Sequence, residues 1–187
     1  MGGTGASDAY QLRAATMQDE ERLRALIARS IRTLGAADYS AAQIEAALLG
    51  AFGLDTSLIR DATYFVAIDG RGEIVGCGGW SRRRTLFGAD SRAERDDSWL
   101  DPRTDAAKIR AFFIDPGHAR RGIGRALLER CEAQAATAGF ERCELMATLP
   151  GARLYARFGY EAGAPIEHPL PGGLSITFLP MSKTLRR

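Results

Sequence analysis

Histidine is nearly absent: His118 and His168 are the only two in 187 residues. With so few, a multi-histidine zinc site or a Ser-His-Asp triad is not expected. Cysteine is scarce as well. Cys77, Cys131 and Cys143 are odd in number, sit in apolar contexts and lack metal-ligand spacing. They read as reduced core residues of a cytoplasmic protein, with no disulfide framework and no metal. No apolar run approaches the roughly 18 residues that a spanning helix needs, so no membrane association is expected. Charge is almost balanced, 25 Lys and Arg against 23 Asp and Glu, which gives no general attraction for nucleic acid. The first residues, 1–7, are small and polar without an apolar stretch, and are expected to be a disordered N-terminus and not a secretory signal. Residues 8–187 are long enough to bury one sizeable core and are expected to form a single domain.

What is present is a regular alternation of elements. Residues 10–14 can form a first strand. Thr16 with Asp19 three residues on is a capping box, and Leu23, Leu26, Ile27, Ile31 and Leu34 recur at helical spacing after it. Ser40 and Gln43 repeat the start signal for a second helix ending near Gly50. Residues 63–68 and 74–80 read as two strands of a hairpin around Asp69-Gly70. A polar connection, 82–105, follows; its length suggests function or mobility. A strand is expected over 109–114, a helix from Gly122 to Gly139, a strand over 142–147 and a helix opened by Pro150 and closed by Gly159. Two more strands flank Pro171-Gly172-Gly173. A mixed α/β sheet covered by helices follows from this order.

The most informative stretch runs from Phe112 to Leu128. An apolar strand, Phe112-Phe113-Ile114, leads through Asp115-Pro116-Gly117 into His118-Ala119-Arg120-Arg121-Gly122-Ile123-Gly124-Arg125 and an amphipathic helix. The first turn of a helix has N–H groups without internal acceptors, and the helix dipole favours anions there. Glycines let a ligand approach that backbone, and Arg120, Arg121 and Arg125 add positive charge. The stretch reads as an anion cradle, fitted to a pyrophosphate. A dinucleotide fingerprint is disfavoured because Leu127 stands where Gly or Ala is required, and no Gly-Lys-Ser/Thr of a nucleotide-binding P-loop follows the glycines.

Ala119-Arg120-Arg121-Gly122-Ile123-Gly124 resembles motif A of the GNAT superfamily of acyl-CoA-dependent N-acetyltransferases, with Ala119 in place of the usual Gln or Arg. Ala152-Arg153-Leu154-Tyr155-Ala156-Arg157-Phe158-Gly159-Tyr160 resembles the family's motif B. The two stand in the family's order and separation. The resemblance implies an α/β GNAT-like fold: a central, mixed but mostly antiparallel sheet, about four flanking helices and splayed central strands. It further implies that acetyl-CoA is the cofactor, that coenzyme A is the product and that the partner is a primary amine of a small molecule or peptide. Homodimers are frequent among such proteins, which is analogy alone.

By the same resemblance, the backbone of Phe112, Phe113 and Ile114 holds the pantetheine arm. Arg120, Arg121, Gly122, Ile123, Gly124 and Arg125 hold the pyrophosphate, and Thr148 touches the cofactor. Amine attack on a thioester builds an oxyanion, which a strand N–H near Phe112 can stabilise. Tyr155 matches the family's general acid toward the CoA sulfur. Glu144 matches a glutamate that some members use as base, with Asp115, Glu73, His168 or a chain of waters as alternatives. Asp115 precedes Pro116 and suits a turn. Arg82, Arg83 and Arg84 suit either an acidic substrate or a solvated face, and Trp80 and Trp99 either an acceptor pocket or packing. No cysteine falls inside the motifs, so direct attack in a ternary complex is expected. The competing readings are a protein N-terminal or lysine acetyltransferase and a CoA-binding module without activity.

Overall fold

The computed structural model describes residues 10–92 and 95–185. The expected disorder of residues 1–7 lies outside the described residues. In chain order the elements are β1 (Gln11–Ala14), α1 (Glu20–Leu34), α2 (Ala41–Ala47), α3 (Thr56–Arg60), β2 (Tyr64–Ile68), β3 (Ile74–Ser81) and β4 (Ala107–Ile114). They continue as α4 (Ile123–Thr137), β5 (Arg142–Thr148), α5 (Leu149–Arg157), β6 (Glu161–Ala162), β7 (Ile166–Leu170) and β8 (Leu174–Thr184). The strands form one sheet in the order β1-β2-β3-β4-β5-β8-β6, with β7 also paired to β8. Every pairing is antiparallel except β4 with β5.

Local chemistry explains most of these elements. Thr16 and Asp19 form the capping box ahead of α1: the Asp19 carboxylate accepts from the Thr16 N–H at 2.9 Å and from Arg13 at 2.7 and 2.8 Å. Ser40 and Gln43 do the same at α2, the Gln43 N–H reaching Ser40 Oγ and the Gln43 side chain accepting the Ser40 N–H. The β2–β3 turn is tied by Asp69, whose carboxylate accepts the N–H groups of Arg71 and Glu73. The five-residue α3 went unread in the sequence because it is too short to show a period; Asp55 caps it by accepting from Ser57 N–H at 3.0 Å. Five α-helices thus stand among the described residues, where about four were expected.

Helices cover both faces of the sheet. One core gathers Leu23, Leu26, Ile27, Ile44, Leu58, Tyr64 and Val66 under α1–α3. The other gathers Phe65, Ile109, Ile123, Leu127, Cys131 and Tyr155 under α4 and α5. Each fully buried leucine or isoleucine contributes about 1.5–3 kcal/mol relative to exposure. The glycines of β3 let α4 press close: a Cβ on Gly76 would stand 2.6 Å from Ile123 Cγ2.

A bulge in β4 decides where the site forms. The β3–β4 register passes from Cys77↔Phe113 to Gly79↔Arg110, so Ala111 and Phe112 lie opposite Gly78 alone. Ala111 takes φ 55°, a left-handed conformation costly for a residue with a Cβ. The Tyr64 hydroxyl holds it there, donating to the Ala111 carbonyl at 2.9 Å. A bulge bends and twists its strand. Accordingly β4 and β5 pair only at Ala107↔Cys143 and Lys108↔Glu144 and part beyond them.

Candidate active site

The parted strands open a cavity of about 1070 Å³ that passes from the α1–α2 face of the sheet to the α4–α5 face. Phe112, Phe113 and Ile114 form one wall, and Leu145, Met146 and Thr148 of β5 form the other. Beyond its bulge β4 has no partner on the β5 side, and its apolar side chains fill the two cores. Backbone groups are therefore the polar features that this wall offers.

At one end lies the start of α4. Arg120 at φ 64° and Gly122 at φ 83° turn the chain sharply into the helix. The first helical bond reaches back from the Ala126 N–H to the Gly122 carbonyl, so the N–H groups of Ile123, Gly124 and Arg125 have no helical acceptor. All three residues line the cavity. A Cβ on Gly124 would meet Leu154 Cδ2 at 3.1 Å, so α5 leaves almost no room there. Asp115 anchors the approach to this turn. Its carboxylate accepts from Gly117 N–H and Arg29 Nε and bonds His118 Nδ1. That network makes it a structural turn residue.

Of the cradle residues named from sequence, Arg121 alone does not line the cavity; Arg120, Gly122, Ile123, Gly124 and Arg125 do. The structure adds Arg153 and Arg157, four apart on α5, which line the same end. Sequence reasoning quoted both inside the second motif without a role, although their i, i+4 spacing places them on one helix face. Neither they nor Arg120 have an acidic partner among the described residues, whereas Arg125 is paired with Glu129 at 2.7 Å. Thr148 lines the wall as the cap of α5, its hydroxyl accepting from Gly151 N–H at 3.2 Å.

Tyr155 projects from α5 into the middle of the cavity wall. Its ring is 8% exposed and packs edge-on to Phe112 (centroids 6.1 Å) and Tyr160 (5.8 Å). Burial raises its pKa above the ordinary phenol value, and the electrostatic environment of Cys131 adds to that. The hydroxyl therefore keeps its proton throughout the neutral range.

Glu144, expected by resemblance as the base, is placed away from the cavity. It lies at the closed end, where β4 and β5 still pair, and its carboxylate forms an ion pair with Lys108. It does not line the cavity, and no carboxylate among the described residues does. The three cysteines are free, buried and outside the cavity lining. Burial pushes Cys77 and Cys143 each up to about 12, and Cys131 well above its ordinary value.

The 82–105 connection is tied down and reaches the opposite end of the cavity. Arg83 pairs with Asp61 through two bonds of 2.7 and 2.8 Å, and Arg82 and Arg83 both stack on Trp99. Backbone bonds from Arg84 and Thr85 to Ser98 and Asp96 zip its limbs together. The guanidinium of Arg83 is thus spent on structure, and Trp99 packs beneath it. Trp80 is buried with its indole N–H on Gln134 at 3.0 Å. The tip, Leu86, Phe87 and Gly88, closes over the cavity beside Tyr39, Phe52 and Phe178. The Tyr39 hydroxyl fastens this end, donating to the Thr177 carbonyl at 2.9 Å and accepting from the Leu149 N–H at 2.8 Å.

Comparison with known proteins follows the same line. The family model described as the acetyltransferase (GNAT) family matches residues 29–160. A GCN5-related N-acetyltransferase from Rhodopseudomonas palustris aligns with a TM-score of 0.69 at 20% identity, over 98% of this chain and 100% of that one. The PaiA N-acetyltransferase from Thermoplasma acidophilum, solved in complex with coenzyme A, gives 0.62 at 14% identity over 94% and 99%. A GNAT family acetyltransferase from Brucella melitensis, solved in complex with acetyl-CoA, gives 0.53 at 18% identity over 90% and 96%. At these identities the likenesses concern the fold. We find no match among curated protein sequences.

Proposed function

The chain belongs to the acetyltransferase (GNAT) family, and on that premise we propose that residues 8–187 are one domain that moves an acetyl group from acetyl-CoA to a primary amine of a small molecule. The observation that carries this reading is the convergence on one cavity of the α4 cradle, the parted β4 backbone and the Tyr155 hydroxyl. The donor set suits the cofactor. Unpaired helical N–H groups with Arg120, Arg125, Arg153 and Arg157 match its phosphates, and the apolar strand with free backbone groups matches an amide-bearing arm. Bound acetyl-CoA supplies the activated thioester. The Phe112 backbone N–H is the donor proposed for the negative charge that develops on the carbonyl oxygen. Tyr155 keeps a proton ready for the leaving sulfur.

Direct attack is favoured because no cysteine reaches the cavity and each is held as a neutral thiol. The closing of the amine end by the 82–105 tip favours a small acceptor over an extended polypeptide. The free cysteines suit a reducing, cytoplasmic setting.

Titration of the protein with acetyl-CoA in a calorimeter tests the reading, with NAD and ATP as controls. Micromolar binding of acetyl-CoA alone is expected, and absence of binding overturns the reading.

With no carboxylate among the described residues in the cavity wall, the amine is expected to arrive neutral or to lose its proton to water. Glu144→Gln is therefore expected to retain turnover within about twofold, since it alters only an ion pair away from the cavity. In both proteins kcat/KM should rise with pH and level off at the acceptor's own pKa. A hundredfold loss in the variant would return Glu144 to the role of base.

A further inference from the structure

We propose that the acceptor is a monoamine on an uncharged apolar body, an arylalkyl or branched-alkyl amine, selected by the α1–α2 end of the cavity; this rests on the transferase reading above. The reachable side chains at this end are apolar. Leu34, the last residue of α1, lines it and is 37% exposed, a large fraction for a leucine. Leu86, Phe87, Phe113 and Met146 are half-buried around the same space. Phe178 backs Phe87 with ring centroids 5.1 Å apart, and Phe52 backs Phe178 at 5.9 Å.

The hydrogen-bonding groups here are already engaged. The polar side chains lining this end are Ser30, Tyr39 and Arg110, and all three are buried. The Tyr39 hydroxyl spends its proton on the Thr177 carbonyl and accepts from the Leu149 N–H. The Arg110 guanidinium is sealed beneath the tip, between Asp55 at 2.6 Å and the Gly88 carbonyl at 3.0 Å. The neighbouring backbone is occupied as well: the Phe87 carbonyl accepts from Arg92 at 2.8 Å and the Ala111 carbonyl from Tyr64 at 2.9 Å.

A charged or strongly polar group entering this space would shed its water and find few partners in exchange, which is costly. A second ammonium would need a carboxylate, and none lines the cavity among the described residues. A carboxylate would need a reachable cation. The exposed arginines of the lining, Arg120, Arg125, Arg153 and Arg157, stand at the cradle end, where the cofactor's phosphates account for them. An apolar body meets no such penalty. It displaces water from Leu34, Phe87 and Met146, and the gain grows with the apolar area covered.

The test uses the wild-type protein with acetyl-CoA and three pairs of acceptors, with released thiol as the readout. The pairs are 2-phenylethylamine with L-phenylalanine, 3-methylbutylamine with L-leucine, and hexylamine with 1,5-diaminopentane, in which a second amine replaces the terminal methyl. The amino acids carry the less basic amine, more often neutral, so a preference for their monoamine partners would run against the supply of free amine. We expect kcat/KM at least tenfold higher for the monoamine in each pair that is acetylated. A smaller ratio in any such pair, faster transfer to tetra-alanine, or transfer to no acceptor while acetyl-CoA binds normally would overturn the inference and leave cofactor binding standing. Failure to bind acetyl-CoA would instead remove the transferase reading beneath it. Leu34→Asp sets a carboxylate at this end on a side chain that is already exposed. It should raise the rate on 1,5-diaminopentane relative to hexylamine at least threefold over wild type, with acetyl-CoA affinity within about twofold. Leu34→Glu serves if the first variant does not fold. A ratio that stays put in the variant that folds would place the acceptor elsewhere and overturn the inference.

Discussion

Replacing Tyr155 with Phe is expected to lower turnover by roughly 10²–10⁴ while leaving acetyl-CoA affinity nearly intact. The packing argument makes this a clean test. The Tyr155 ring sits edge-on between Phe112 and Tyr160, and a Phe ring preserves both contacts. The hydroxyl makes no hydrogen bond to another described residue, so its removal strands no partner and should change stability by less than about 1 kcal/mol. What disappears is a proton donor beside the cavity. Because burial raises the phenol's pKa, the sign is simple: the acid form persists across the neutral range, and no loss of rate from Tyr155 ionisation should appear there as pH rises. Steady-state kinetics on the variant, together with calorimetry for acetyl-CoA, check both halves. Unchanged turnover would remove Tyr155 from the mechanism, and lost affinity would make it a wall residue instead.

The second large effect concerns Gly124. Gly124→Val should weaken acetyl-CoA binding by about thirtyfold or more, which corresponds to about 2 kcal/mol. A Cβ at this position already stands 3.1 Å from Leu154 Cδ2, so the two added methyl groups have only the cavity to enter. They would lie over the orphan N–H groups of the first turn of α4 and hold an anion away from them. If the cradle is the binding element, turnover at saturating acetyl-CoA should fall far less than affinity does. Normal affinity in this variant would sink the cradle assignment. A matched fall in turnover and affinity would point to displacement of α5, and of Tyr155 with it.

The two predictions draw on different levels of information. The Gly124 prediction comes from the sequence because its signal is local: glycines, arginines and a helix start within a few residues of one another read as an anion cradle. Tyr155 was legible only through resemblance, since helical spacing sets it beside the face of Leu154 and Phe158 without saying what it meets. Arg153 and Arg157 had the spacing but no stated target, because a charge pair on a helix surface is ordinarily solvated. Glu144 stands away from the cavity for a geometric reason. Its strand parts from β4 only beyond Lys108↔Glu144, and strand order alone does not fix the point of parting.

The sequence by itself determined the alternation of strands and helices, both capping boxes, the β2–β3 turn and the cradle at the start of α4. Each follows from contacts within a few residues, where propensity and hydrogen-bond reach suffice. Tertiary structure alone decided the bulge at Ala111, which needs the glycines of β3 and the Tyr64 hydroxyl opposite it, and therefore the cavity. It also decided the fate of the charges. Arg83 is spent on Asp61 and Trp99, Glu144 on Lys108, and Arg110 on Asp55. These pairings join residues 16 to 55 positions apart, and only the folded chain brings them within reach.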